Sequence, residues 1–203
     1  MVKLGFIVEG DSEKIMVESA GFKRWANAQG LEICSPVINA KGGGNLLPHH
    51  MGPMLTQLAR SAPDHIVVLT DLEDELDVAT VKARITDTHT QLIFVAVKAL
   101  EAWFLADTEA MRSWLKQPDF FEQKPEQTAG IPWDRIREVA YELGARGPGP
   151  SKVIFAKRFC STHNYQISSS SAHPACPSAT SFHDALVGLA GVGGQSDMVE
   201  GMT

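Results

Sequence analysis

The sequence predicts an α/β protein, a mainly parallel sheet flanked by helices, with a smaller helical or irregular C-terminal segment. Two observations predict it. Short apolar runs at residues 3–8, 31–38, 65–71 and 92–97 have the length and character of buried strands. Between them lie stretches with helical spacing, and strands alternating with helices imply βαβ units and a parallel sheet. The chain has 203 residues, 44% of them hydrophobic, enough for one domain with a real core and a small appendage. The organisation expected is a core over 1–110, an α-rich or irregular extension packed on it over 111–189, and a disordered tail over 190–203.

The elements follow in order. Residues 3–8 form the first strand and end in the turn Glu9-Gly10-Asp11-Ser12. Asp11 or Ser12 caps a helix that starts near Glu13 and runs toward Trp25, because Ile15, Met16, Phe22, Trp25 and Ala26 recur near the helical period. A second strand at 31–38 leads into the flexible loop Lys41-Gly42-Gly43-Gly44-Asn45. A helix over 48–60 stops at Pro63-Asp64. His65-Ile66-Val67-Val68-Leu69-Thr70-Asp71 is the clearest buried parallel strand, and its acidic end leads to a helix near 77–86. A strand at 92–97 precedes a helix or helix start at 99–107. Beyond Gly144 the texture changes. A loop at 146–150, a helix at 152–159, a Ser-, His- and Pro-rich stretch of poor periodicity at 161–181 and a short final helix at 182–189 are expected.

Composition excludes several classes. A formal net charge of −6 and a pI near 5.6 argue against tight autonomous binding to nucleic acid, because phosphate contacts need Lys and Arg. Carboxylates gathered round a divalent cation, or a basic surface on a partner, would resolve that imbalance. No stretch approaches the roughly 18 uninterrupted apolar residues of a membrane helix. Glu9 arrives too early for a secretory signal, so a cytoplasmic protein is expected. Cys34, Cys160 and Cys176 lie far apart and read as reduced thiols, neither a disulfide framework nor a zinc knuckle. Adjacent His49 and His50 lack the spacing for a shared zinc, and Gly42-Gly43-Gly44 lacks the Lys-Ser/Thr of a Walker loop.

The chemistry concentrates in acids. In an open α/β sheet, ligands sit beyond the carboxyl ends of the strands. Glu9 and Asp71 both stand at such ends, and they converge if their strands are neighbours. Glu73 returns to the same side if the chain stays extended. Clustered carboxylates repel unless a cation neutralises them, and Mg²⁺ (or Mn²⁺) suits an all-oxygen shell. Asp74, Glu75 and Asp77 read as a solvated helix start, and Trp103, Phe104 and Leu105 as core.

Three segments carry a resemblance. Phe6-Ile7-Val8-Glu9-Gly10-Asp11-Ser12-Glu13 resembles the opening motif of Toprim domains, and Asp71-Leu72-Glu73 resembles their second motif, normally Asp-x-Asp. Leu100-Glu101-Ala102-Trp103-Phe104-Leu105-Ala106-Asp107 resembles a signature of small Toprim-like proteins. These are akin to the nuclease domain of overcoming-lysogenization-defect (OLD) proteins and are often associated with prokaryotic defence loci. Pro150-Ser151-Lys152 through Phe159, with His173-Pro174, resembles that group's C-terminal half, so the likeness spans most of 1–189.

The resemblance implies a Toprim-like (Rossmann-like) fold and a metal-dependent nuclease, or a related phosphodiester-processing activity on DNA or RNA. Carried over, Glu9 is a ligand or general acid–base group, Asp71 and Glu73 are metal ligands, and Glu101 is a ligand for a second ion. Lys152 offsets phosphate charge, with Lys157 and Arg158 as alternatives. Gly43 belongs to a loop placed to approach a phosphate backbone. The second motif departs from the usual pattern, since Glu73 is longer than Asp by one methylene. The partners implied are nucleic acid, weakly bound by the chain alone, an ATPase and a second copy of the chain. Tyr141 and Tyr165 lie away from the motifs, which argues against strand passage through a covalent phosphotyrosine. Two rival readings stay open: a non-catalytic Toprim-like partner or sensor subunit of an ATPase complex, and a phosphatase- or receiver-like site around Asp71.

Overall fold

The computed structural model describes residues 1–86 and 92–193. Among them, β1 (Val2–Val8), β2 (Leu31–Ile33), β3 (Ile38–Asn39), β4 (His65–Asp71) and β5 (Leu92–Ala96) form one parallel sheet. β1 lies inside the sheet, with β4 on one side and β5 beyond it, and with both β2 and β3 on the other side. The fold is therefore α/β with a parallel sheet, as the alternation of runs predicts.

Ten helices complete it among the described residues. They are α1 (Asp11–Glu18), α2 (Ala20–Ala28), α3 (Pro48–Ala59), α4 (Val78–Ile85), α5 (Glu101–Ala106), α6 (Thr108–Leu115), α7 (Pro132–Glu142), α8 (Lys152–Thr162), α9 (Ile167–Ser171) and α10 (Pro177–Gly193). No helix among them is long and apolar enough to cross a membrane.

Side-chain alternation divides the core. Leu4, Phe6 and Val8 of β1, with Val67 and Leu69 of β4, join a cluster built with α1, α2 and the helices from α5 onward. Ile7, Val68, Ile93 and Val95 point the other way, toward Met51 and Leu58 of α3 and Val81 and Ile85 of α4. Phe182 of α10 is fully buried at the centre of the larger cluster, with Phe94 and Trp103 rings each 5.1 Å away and Phe22 at 6.1 Å. One core thus takes side chains from residue 4 to residue 186.

Three expectations about elements need correction. The single helix from Glu13 toward Trp25 is two helices. α1 already begins at Asp11, after Gly10, and Ser19 breaks the run: its backbone is extended (φ −61°, ψ 147°) and its Oγ accepts from Phe22 N at 3.1 Å. A serine that caps a new helix competes with continuing the old one. The single strand at 31–38 is also two pieces. The register passes from Leu4↔Ile33 to Ile7↔Ile38, so the outer strand bulges over Cys34 to Val37, where Pro36 has no N–H for a ladder.

The stretch at 161–181 is not irregular. It holds α9 and the start of α10, which runs to Gly193 rather than spanning 182–189. Ala179, Phe182 and Leu186 are fully buried at helical spacing, but intervening Ser and Thr dilute that period in the sequence. Of the tail expected from 190, the part to Gly193 is helical and residues 194–203 lie outside the described residues.

Candidate carboxylate site at the sheet edge

β1 and β4 are hydrogen-bonded neighbours, and this brings Glu9 and Asp71 to the same carboxyl edge. Glu9 N donates to Leu69 O at 3.0 Å, continuing the ladder past the end of β1. Glu9 Oε2 accepts from Thr70 Oγ1 and, at 3.1 Å, from Asp71 N. Its other oxygen faces the glycine loop, where a Cβ on Gly43 would stand 3.3 Å from Oε1. Strand alternation puts Glu9 on the side of Ile7 and Thr70, and Asp71 on the side of Leu69. The two acids leave the sheet from opposite faces and meet only at its rim.

Asp71 therefore has other neighbours than the sequence suggests. Its Oδ1 accepts from Leu100 N at 2.9 Å, and its carboxylate faces Glu13 of α1 and Glu101 of α5, with Glu9 next. Asp71 is half-buried, with one side on an open cleft. Desolvation, then repulsion from Glu13, Glu101 and Glu9, holds its pKa well above the usual carboxylate range. Glu13 is 5% exposed, and burial, reinforced by Glu101 and Glu9, pushes it from 4.5 up to about 7. Glu101 is 3% exposed.

Glu73 lies apart from this inner group. The chain does not stay extended after Asp71: Glu73 has φ 50° and its N–H donates to Lys98 O at 3.0 Å. Its exposed carboxylate is raised in pKa by partial desolvation and then by Glu9 and Asp74, against the pull of Arg84 and Lys152. The extended backbone assumed for Glu73 is thus replaced by a left-handed residue, and from it Glu73 still lines the same cleft as Asp71.

Cations frame the acids. Lys152, the first residue of α8, gives Nζ to Glu101 Oε2 at 3.2 Å. Among the described residues it is the one cation within ion-pair distance of Glu9, Glu13, Asp71 or Glu101. Arg84 of α4 approaches from the opposite face and pairs with Glu75. Lys98 ties Nζ to Thr128 O and, at 3.0 Å, to Gly130 O. Asp71, Glu73, Lys98, Gly130 and Lys152 line an open cleft of about 440 Å³. Two candidates stand elsewhere. Lys157 lines a separate depression with Arg24, Ser161 and Asn164, and Arg158 donates to Pro148 O at 3.4 Å, pinning the loop before α8. Neither lines the carboxylate cleft.

Glu13, Lys98 and Arg84 are absent from the site that the sequence predicts. For Glu13 a signal exists, an acid four residues after Glu9, but its inward turn depends on α1 starting at Asp11. A Cβ at Gly10 would lie 2.9 Å from Glu13 Oε2, so glycine leaves the room this carboxylate occupies. Lys98 and Arg84 carry no local signal, since their partners are 30 and 9 residues away.

The donor set suits a hard divalent cation in its chemistry: carboxylate oxygens, two of them in groups kept above their ordinary pKa by burial and one another. Its closure is another matter. Among the described residues no group of three His, Cys, Asp or Glu side chains converges to hold an ion.

Fold and site together define an α/β protein with a carboxylate-rich cleft at the carboxyl edge of a parallel sheet. No protein-family model matches the chain, and no curated protein does. Among solved structures, the chain is similar to the C-terminal region of the Burkholderia pseudomallei OLD protein, with 19% identity over 92% of this chain and 99% of that one, at a TM-score of 0.42. It is also similar to the C-terminal region of the Xanthomonas campestris pv. campestris OLD protein, with 15% identity over 95% and 97% of the two chains, at a TM-score of 0.42.

Proposed function

We propose that this chain is a Mg²⁺- or Mn²⁺-dependent nuclease or related phosphodiester-processing protein of Toprim type. The observation that carries the reading is the Asp71 carboxylate, faced by Glu13, Glu101 and Glu9, with Lys152, paired with Glu101, the one cation among the described residues in ion-pair reach of any of the four. Such a cluster is costly without a cation, and it sits where ligands bind in open α/β sheets. The resemblance of the motifs at 6–13, 71–73 and 100–107 to Toprim sequences supports the same reading.

Divalent ions held by Asp71 with Glu9, Glu13 or Glu101 would supply Lewis-acid polarisation of a phosphodiester. The chain's own residues do the rest. Thr70 and Asp71 N–H fix one Glu9 oxygen and leave the other open. Lys152 places a positive charge at the cleft, where developing phosphate charge needs it. Glu13, pushed from 4.5 up to about 7 by burial, is suited to hold or release a proton near neutral pH. Water is the nucleophile: its oxygen bonds to phosphorus as the ester P–O bond breaks, and the leaving oxygen departs with a proton as an alcohol.

The test is cleavage of plasmid and single-stranded DNA and RNA with Mg²⁺ or Mn²⁺ and with EDTA. Ion-dependent cleavage that Glu9→Gln abolishes and Asp71→Asn lowers by about a hundredfold or more supports the reading. Inactivity on every substrate, together with no Mn²⁺ binding by calorimetry, rejects it. A second reading, a non-catalytic partner or sensor subunit of an ATPase complex, is favoured by the absence of a converged three-ligand set among the described residues. It predicts stable co-purification with an ATPase and no ion-dependent cleavage.

A further inference from the structure

Arg84 is not accounted for by the carboxylate cluster it borders. It stands on α4, on the face opposite Lys152, where Nη1 donates to Glu75. Among the described residues Glu75 is the one carboxylate within ion-pair distance of it. A guanidinium has five N–H donors, so one ion pair leaves most of them unused. Nε is buried and, among the described residues, has no hydrogen-bond partner.

Its surroundings say where the free donors point. The Cβ that Gly43 lacks would stand 3.5 Å from Arg84 Nη2 and 3.3 Å from Glu9 Oε1. Glycine at 43 therefore keeps open a gap bounded by the loop backbone, the guanidinium and the Glu9 carboxylate. Glu73 lies within the electrostatic reach of both Arg84 and Lys152. The acidic rim is thus bracketed by two cations, one on each face of the sheet. A salt bridge serving only to tie residues 72–77 to α4 would need neither the open glycine nor the placement beside Glu9.

We propose that Arg84 is a phosphate-contacting residue: its guanidinium, beside Gly43, takes a non-bridging oxygen of a nucleic-acid backbone phosphate on the side of the acids opposite Lys152. This deepens the phosphodiester reading and rests on it. The planar fork suits a phosphate better than an ammonium does. A strand laid from Lys152 to Arg84 crosses the carboxylate rim, and the two cations locally offset the repulsion between a backbone phosphate and a chain of net charge −6.

The test is fluorescence anisotropy of a labelled single-stranded oligonucleotide with Ca²⁺ in place of Mg²⁺, across a salt series. The proteins compared are wild type, Arg84→Gln, Arg84→Lys and Glu75→Gln. Arg84→Gln is expected to weaken binding about tenfold and to lower the salt dependence by about one phosphate contact. Arg84→Lys should fall between, and Glu75→Gln should bind within twofold of wild type. Melting curves confirm that each variant folds, and Arg84→Lys keeps the charge if Arg84→Gln does not. Wild-type binding that both Arg84 variants leave within twofold, with an unchanged salt slope, overturns this inference alone. Equal weakening by Glu75→Gln and Arg84→Gln reduces Arg84 to a structural tie and also overturns it. Absence of wild-type binding overturns both the inference and the reading beneath it.

Discussion

Lys152 Nζ lies 3.2 Å from Glu101 Oε2, joining the first turn of α8 to the first turn of α5 across 51 residues of sequence. The lysine side chain is 43% exposed and the glutamate 3%, so the pair is unequal: Lys152 reaches from solvent to a carboxylate that has little other relief. Removing the lysine leaves a buried charge unpaired, whereas removing both removes the penalty as well.

Lys152→Met is therefore expected to destabilise the metal-free protein by about 1–3 kcal/mol. The double change with Glu101→Gln should recover most of that loss. Urea unfolding in EDTA reads both, and equal destabilisation by the single and double variants would count against the pairing.

Stability should fall as pH rises through the region set by Glu13. Its pKa is raised by burial from 4.5 to about 7, so the folded chain keeps a proton that the unfolded chain has lost. More protons bound in the folded state mean stability that is present below the unfolded value and is lost as pH climbs through the folded one. The shift corresponds to about 3 kcal/mol between pH 4.5 and 7, and Asp71, raised in the same direction, adds to it. Denaturant midpoints across that range in EDTA test the slope. Glu13→Gln should flatten it, and saturating Mg²⁺ should restore stability above pH 7.

Ser178 joins three elements. Its Oγ accepts from Trp103 Nε1 at 2.7 Å and donates to Glu126 Oε1, while its N–H donates to the same oxygen at 2.9 Å. Cys176 Sγ adds a contact to that oxygen at 3.3 Å. Ser178→Ala leaves the buried indole N–H without its partner and should cost about 2 kcal/mol, measured by equilibrium unfolding. Because Trp103 is two residues from Glu101, a fall in Mn²⁺ affinity is expected with it. Unchanged affinity would show that α5 holds its place without this serine.

Gly42 has φ 120° and ψ 149°, a conformation closed to other residues, and its N–H donates to Glu9 O at 2.9 Å. Gly42→Ala should cost about 1–3 kcal/mol and displace the loop from Glu9. Gly43→Ala meets only a tight contact with Glu9 Oε1 and should cost less, so thermal melting should rank the two in that order.

Several of these residues are legible in the sequence. The runs at 3–8 and 65–71 mark two buried parallel strands, and an acid at the end of each marks the working edge of the sheet. Lys152 is expected at the start of a helix, and it is the first residue of α8. Other features stay hidden because no local pattern encodes them. Ser19 looks like one more helical position until its hydroxyl takes Phe22 N, and the spacing of Ala179, Phe182 and Leu186 is blurred by polar neighbours such as Thr180 and Ser181.

The sequence by itself determined that this is a parallel α/β protein with acids at strand ends, because hydrophobic period and strand length are properties of consecutive residues. Only the tertiary structure decided which acids meet. Alternation along β1 and β4 sends Glu9 and Asp71 to opposite faces, the left-handed turn at Glu73 ends that alternation, and packing of α1 and α5 on one face presents Glu13 and Glu101 to Asp71. Side-chain direction at the end of a strand is set by what packs against it, and those neighbours come from 29 residues or more along the chain.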